Sequence, residues 1–524
     1  MTLSMFFDAY ETGNGMGAHC GAHNLGAAYT ILHSIPPICR SSLQNIFLAM
    51  LFHHDDLKKS GNSAVFSNFI DEFNYLVETG KLVQIKTERI QVYFSLVVLE
   101  GDNLGLNKIL GNSESFSANH FCRMCKMCKV DAQYAIIAEN NLLRNEINYD
   151  TDVESNDFGS TGIKEGCVFN NVRHFPCVRN IIADLMHDLP EGVLAYEAGL
   201  IFHELVLVEK VIDFDIFNSI LRTFDFQFES NRPPAVSVDQ LRKKYIKMSG
   251  SEMMTFWTYA PIMFGRFIQE DNVFWQVFIK LRRILAILMS KQFDFECFDY
   301  LDNLITEHHA QYIELFGPLK PKHHFMVHCS LVISMMGPLE QLQAMKDESK
   351  HRKSKLTSNS VSTRVNICKT IAIKQQLMFS NRLLLNKGFD LGFSSGRLEE
   401  LSGTTSDALF NVMNCETNDF LTADFVKVFN TQYKIEFTVI INLRDDFPVF
   451  AKIREILISY KNNDAIFFCD VYKSMGFCEH FYAYHLVKTA KKQFVKQSDL
   501  WNYIPVLMYK HSNGKTYVIM KNEA

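Results

Sequence analysis

Three acidic residues and four soft-metal ligands interleave along this 524-residue chain in one order: Asp8, Asp102, Cys122, Cys125, His323, His328, Glu348. Carboxylates grouped in threes can hold two Mg²⁺ or Mn²⁺ ions, and such hard cations need oxygen ligands at the ends of rigid elements. A pair of cations held in that way can open a phosphodiester. Thiolates and imidazoles instead suit a tetrahedral Zn²⁺. Cys122-x-x-Cys125 has the spacing of a zinc knuckle, and Cys128 adds a third thiol in the same rhythm. A lone CxxC in a reduced protein also fits a thiol-redox pair. The segment Lys322-His323-His324-Phe325-Met326-Val327-His328 offers the other half-site as His323 with His328, or as His324 with His328. Taken singly, Asp8 and Asp102 read as turn residues and Glu348 as helix surface. Their joint order carries the reading.

Two further groups bear on the third carboxylate. Asp184-Leu185-Met186-His187-Asp188 follows a short apolar run and reads either as a helix cap or as polar residues supporting a site. Glu191 lies close to that motif and is a rival to Glu348. Glu348 is preferred because Lys346, Lys350, Arg352 and Lys353 surround it, a strip suited to backbone phosphate. The plainer account of that strip is a solvated helix face.

The elements that would position these residues follow from the hydrophobic pattern. An apolar run over 3–8 delivers Asp8, and apolar segments at 26–33 and 45–53 read as strands. Val65, Phe66, Phe69, Ile70, Phe73, Leu76 and Val77 repeat at helical spacing over 64–78, with Ser63 as cap and Gly80 as stop. The almost continuous apolar run 92–99 reads as a buried strand delivering Asp102. Strand, strand, strand, helix, strand, with carboxylates after the first and fourth strands, is the layout of an RNase H-like core. Its first and fourth strands are neighbours, which would set Asp8 beside Asp102.

Residues 139–165 are acidic and polar and read as a loop. Helical patterns over 191–211, 251–268, 272–290 and 295–316 suggest a large α-helical insertion, with Pro261 kinking the second. Runs at 438–443, 465–471, 481–487 and 516–520 suggest a β-rich C-terminal domain. The expected fold is an α/β RNase H-like core interrupted by that insertion and followed by that domain. Its divisions are 1–178 for the core with the Cys half-site, 179–345 for the insertion ending in the His half-site, and 346–375 for the Glu348 helix. A linker at 376–416 and the C-terminal domain at 417–524 complete it.

Hydrophobic residues make up 47% of the chain and Phe occurs 44 times, so a large core is feasible. The net charge of −5 argues against a uniformly basic nucleic-acid binder. The 13 cysteines lack disulfide-like spacing and no signal peptide is evident, so reduced thiols in the cytosol or nucleus are expected. The most membrane-like stretch, 273–289, contains Lys280, Arg282 and Arg283, so no membrane span is expected.

Gly101-Asp102-Asn103-Leu104-Gly105, then Cys122-x-x-Cys125, then Asp184-x-Met186-His187 with Glu191-Gly192-Val193, resembles transposases of the CACTA/EnSpm, Mirage and Chapaev assemblage. The opening Phe7-Asp8-Ala9-Tyr10-Glu11-x-x-Asn14 is similar to the segment carrying their first catalytic aspartate. The order also looks like the catalytic core of the V(D)J recombinase and its Transib relatives, with a CxxC after the second aspartate and His-x4-His before the glutamate. The resemblance covers roughly residues 1–360. It implies a DDE recombinase in which Asp8, Asp102 and Glu348 hold two Mg²⁺ or Mn²⁺ ions. It implies structural Zn²⁺ on Cys122, Cys125, His323 and His328, support from Asp184 and His187, and phosphate contacts from Lys346, Lys350, Arg352 and Lys353. Its partners would be transposon-end and target DNA and further copies of itself, in the nucleus. Relatives usually carry an N-terminal DNA-binding region, and this chain starts almost at the first aspartate, as a truncated or domesticated copy would. The rival expectation is therefore a non-catalytic DNA- or protein-interaction factor on the same zinc-braced scaffold.

Overall fold

A computed structural model describes residues 1–12, 24–40, 42–342, 345–361, 365–388, 392–401, 420–445, 447–459 and 464–522, with the backbone alone at 345–347. The chain opens with β1 (Thr2–Glu11), β2 (Asn24–Leu32), β3 (Ile46–His53), a helix His54–Glu78, β4 (Lys81–Ile85), β5 (Glu88–Val92) and β6 (Ser95–Gly101). β1, β2, β3 and β6 form one sheet in the order β3-β2-β1-β6. β1 runs antiparallel to β2 and parallel to β6. A parallel bridge from Leu99 to Ile181 brings the chain before Asp184 alongside β6.

Both faces of this sheet are covered, so β1 reads as a continuous apolar run instead of an alternating one. Phe6 and Phe7 point to opposite faces. Phe6 packs with Tyr29, Ile367 and Ile371 in one core cluster, the last two from the helix Ile367–Leu384. Phe7 meets Phe52 and Phe66 on the other side, at ring-centroid distances of 6.1 and 6.0 Å. Burying each such ring contributes roughly 2–3 kcal/mol. The stripe expected on the helix is present, with Phe66, Ile70 and Phe73 buried. The helix starts earlier than Ser63, with a kink at Gly61, where φ is 77°.

Two local expectations change. β4 and β5 pair only with each other, a hairpin hidden in the sequence by the apolar run that follows it. The polar segment 139–165 is not a plain loop. It holds the helices Glu146–Ser155 and Phe158–Thr161. The first is started by a reciprocal cap between Asn145 and Asn148, and Arg144 pairs with Asp152 at 3.0 Å beneath it. Caps and a buried ion pair hold this segment where an apolar stripe is missing.

The helical stretch consists of Leu185–Asp188, π-turns and helix through Val208, then Gly250–Phe264 with Pro261 inside, Val273–Leu288 and Glu296–Phe316. In the C-terminal region six strands close into a β-barrel: Thr438–Arg444, Phe447–Ser459, Asp464–Cys478, Ala483–Lys496, Thr516–Ile519 and Asn502–Lys510 in spatial order. Thr438–Arg444 closes the ring by pairing with both Phe447–Ser459 and Asn502–Lys510. Register breaks at Ile453/Glu455, Asp470/Tyr472 and Ser474/Gly476 supply the bends that closure needs.

The chain divides into two compact units. One comprises Met1–Leu200, Lys247–Gly250 and Ile287–Phe389, and the other Ile201–Ile246, Ser251–Ala286 and Asp390–Ala524. The helical stretch expected to form one insertion over 179–345 is thus shared between both units. The linker expected at 376–416 begins within the helix Ile367–Leu384, and its part at 402–416 lies outside the described residues. Among the described residues no helix is long and apolar enough to cross a membrane.

Candidate functional site

Cys122 and Cys125 lie in the segment between the helices Asn103–Ile109 and Lys129–Ala132, and the histidines on and just after the helix Pro321–Met326. Cys125 Sγ is 3.2 Å from His324 Nε2, and Cys122 Sγ is 3.6 Å from His328 Nε2. The two Nε2 atoms are 3.4 Å apart. All four side chains are buried, with their ligand atoms within 4.8 Å of one another. Zinc, with bonds of about 2.3 Å to sulfur and about 2.0–2.1 Å to nitrogen, fits this donor set. Burial pushes the Cys122 thiol up, but the hydrogen bond with Cys125 and the adjacent His328 outweigh it and hold Cys122 well below the ordinary thiol range. Cys128 stands apart, its Sγ donating to Asp131 Oδ2 at 3.0 Å.

The histidine pair is a correction. His324, not His323, partners His328 in the quartet. Neighbouring residues on a helix point about 100° apart, so His323 and His324 cannot face one site. His323 Nε2 instead meets Glu197 Oε1 at 3.1 Å, and His308 Nε2 meets the other oxygen of the same carboxylate at 3.1 Å. Burial pushes His323 down to about 4, against the pull of Glu197, so a neutral imidazole faces that carboxylate.

The carboxylates form a second group in the same unit. In the β1–β6 register Phe7 pairs with Gly101, so Asp8 and Asp102 are neighbours; Asp102 follows the end of β6, but Asp8 lies within β1, paired with Ala27 of β2, and not after the strand as expected. A Cβ on Gly101 would stand 2.6 Å from the Phe7 carbonyl oxygen, and one on Gly105 2.7 Å from Asp102 Oδ1, so the motif needs both glycines. Asp102 Oδ1 accepts from Gly105 N at 2.5 Å and caps the helix Asn103–Ile109. Burial first, then the charges of Asp8 and Asp184, raise the Asp102 carboxyl against the Gly105 hydrogen bond. Glu348, on the helix Met345–Asn359, is pushed up to about 7 by burial, with Asp8, Asp184 and Asp102 adding and His187 opposing. Glu348 thus feels the charge of Asp8, 340 positions away in the chain.

His187 lies among them. Its Nδ1 is 2.8 Å from Asp184 Oδ2, an ion pair too bent to count as a hydrogen bond. Its Nε2 is 3.7 Å from Glu348 Oε1 and 3.8 Å from Glu191 Oε2. Burial opposes the imidazolium, but the contact with Asp184 and the charges of Glu348 and Glu191 push His187 up to about 9. Glu191 therefore joins the cluster beside Glu348. Asp184 caps the helix Leu185–Asp188 as the plainer reading expected, while Asp184 Oδ2 also accepts from Asn103 N at 3.0 Å. Among the described residues only the Cys/His quartet brings three or more ligand atoms within 4.8 Å of one another, so the carboxylates face each other more loosely.

The basic strip divides. The Lys346 side chain lies outside the described residues. Lys350 is buried and its Nζ donates to the Leu43 carbonyl at 2.6 Å, so this lysine is structural and not free for phosphate. Arg352 is exposed and Lys353 half-buried.

Sequence reasoning passed over His351, Asn103 and Arg123. His351 Nε2 meets Asp8 Oδ2 at 3.0 Å, its Nδ1 meets Tyr29 Oη at 3.2 Å, and its ring stacks on Tyr10 at 4.1 Å. Its one sequence signal is the i, i+3 spacing from Glu348, which puts both on one helix face. Asn103 Nδ2 donates to Asp188 Oδ1 at 2.7 Å, and burial pushes that carboxyl up to about 7. Among known proteins, no family model and no curated sequence matches this chain.

Proposed function

We propose that this chain is a transposon-derived DDE transposase, cleaving and transferring DNA strands with Asp8, Asp102 and Glu348 as its metal-binding carboxylates. The observation that carries this reading is the β1–β6 register that sets Asp8 and Asp102 close together, with Glu348 Oε1 3.7 Å from the same His187 that contacts Asp184. The sheet order β3-β2-β1-β6, with β6 parallel to β1, supports an RNase H-like core. Bound Mg²⁺ or Mn²⁺ would activate a water or 3′-hydroxyl and steady the leaving oxygen. Two such ions stand about 3.5–4 Å apart, so carboxylates arranged around both need a wider ring than a single zinc does. His351 orients Asp8 through its Nε2, and Asp184 and Glu348 hold His187 as a cation beside the site. Exposed Arg352 would meet backbone phosphate. Zinc on Cys122, Cys125, His324 and His328 would brace the segments that carry these groups. Nuclear location, DNA ends and self-association belong to this reading.

The test is nicking of supercoiled plasmid by the purified chain with Mn²⁺, for the wild type and Asp102→Asn. Mn²⁺-dependent nicking abolished in a folded Asp102→Asn protein supports the proposal. Equal activity in both, or none in a zinc-loaded folded wild type, overturns it. A second reading, a non-catalytic scaffold, draws on the capping roles of Asp102 and Asp184, which give both residues a purpose without metal.

A further inference from the structure

We infer that Arg123 is a positioning residue that ties the state of the zinc quartet to the placement of the carboxylates. Its catalytic consequence rests on the proposed function, but its geometry does not. Arg123 follows Cys122 inside the knuckle and is 1% exposed. Its Nη1 donates to Asn103 Oδ1 at 2.7 Å. Its Nη2 and Nε both donate to the Ile182 carbonyl, at 2.8 and 3.3 Å. Its Cζ lies 5.2 Å from the centre of the Phe325 ring, and Phe325 follows His324 directly.

One side chain therefore touches the thiol half-site, the histidine half-site and the two segments that carry Asp102 and Asp184. Asn103 follows Asp102, and its own N–H and Nδ2 donate to Asp184 Oδ2 at 3.0 Å and Asp188 Oδ1 at 2.7 Å. Ile182 stands two residues before Asp184. A buried guanidinium has no water to replace a lost partner, so a displaced knuckle either orphans these groups or drags them along. Zinc fixes the knuckle, the knuckle fixes Arg123, and Arg123 fixes the turns that present Asp102 and Asp184. A lysine cannot replace it, because the planar fork reaches Asn103 and Ile182 at once.

The experiment is hydrogen–deuterium exchange on the full chain, zinc-loaded and after chelation, for the wild type, Asn103→Leu and Arg123→Lys, with zinc content measured on each. The reporters are the Gly105 and His187 amides, which donate to Asp102 and Asp184. Chelation is expected to speed both on the order of tenfold in the wild type. It should add nothing at Gly105 in Asn103→Leu, where the link to Asp102 is already cut, and should persist at His187, whose segment Arg123 still holds through the Ile182 carbonyl. Arg123→Lys should show the faster exchange with its zinc in place. A chelation effect of equal size at Gly105 in the wild type and Asn103→Leu overturns the inference. So does a wild-type effect confined to 119–128 and 320–329, or wild-type protection in zinc-loaded Arg123→Lys. If Arg123→Lys sheds its zinc, the Asn103→Leu comparison decides. Mn²⁺ titration by electron paramagnetic resonance keeps the two readings apart. A wild type that takes up no Mn²⁺ removes the catalytic proposal and leaves the exchange result standing.

Discussion

The Cys/His quartet and the carboxylate cluster lie in the same compact unit, but one is closed and the other open. Cys122 and Cys125 are 2% exposed and His324 and His328 1%. Their donor atoms lie within 4.8 Å of one another, near enough to be drawn onto one ion. In the cluster, the side chains of Glu348 and Glu191 keep 30% and 40% of their surface exposed, and the oxygens do not converge as tightly. Soft donors around an ion with four fixed ligands gain by excluding water. Hard cations keep waters and substrate oxygens in their shell and need room for them. The first group is closed within the chain, whereas the second stays open to solvent.

The largest expected effect breaks the closed site. His324→Ala should abolish zinc binding and lower the melting temperature steeply, because zinc affinity at such sites is folding energy. His323→Ala should keep one zinc per chain by elemental analysis, and equal zinc loss in both variants would reinstate His323 as a ligand. Next, Glu348→Gln should remove Mn²⁺-dependent nicking while leaving zinc content and the melting temperature close to wild type. Glu191→Gln should do so only in part, and a reversal of that order would move the third carboxylate to Glu191. His351→Ala, which frees Asp8, should weaken Mn²⁺ binding roughly 10- to 100-fold in a direct titration, as loss of outer partners does.

A smaller effect is expected with pH. Folding raises Glu348 from 4.5 to about 7 and His187 from 6.5 to about 9. Both groups bind protons more tightly folded than unfolded, so stability without Mg²⁺ or Mn²⁺ should fall as pH rises. Glu348 contributes its part between 4.5 and about 7, and His187 between 6.5 and about 9. Glu348→Gln should flatten the lower part of a melting-temperature profile, and an unchanged slope there would contradict the burial assigned to it. The smallest effect concerns the strip. Arg352→Ala should reduce the salt dependence of DNA binding by about one charge. Lys350→Ala should leave that slope alone and cost roughly 1–3 kcal/mol by orphaning the Leu43 carbonyl.

Much of the sheet was legible because β1 and β6 are buried on both faces and so read as continuous apolar runs. The zinc knuckle was legible because clustered Cys and His are rare residue types with few other uses. The choice between His323 and His324 was not, since spacing alone does not say which way a short helix is turned. Lys350 misled for a similar reason: a basic residue in a basic segment reveals its charge, not where its ammonium ends. The helices in 139–165 rest on caps and on ion pairs such as those of Asp152 with Arg144 and Lys126, which leave no periodic trace. Arg123 and His351 escaped notice because each works through contacts with residues far away in the chain.

The helix Pro321–Met326 has a consequence for how this gene can change. Two successive codons there specify imidazoles that serve separate networks, one reaching Glu197 and the other Cys125. Gaining or losing a single residue just before them would rotate the turn and exchange their assignments, damaging both networks in one step. Point substitutions at Lys322 or Val327 are a milder event. Length in this short stretch should therefore be held more rigidly than spelling, and an alignment that opens a gap there will misassign both histidines together.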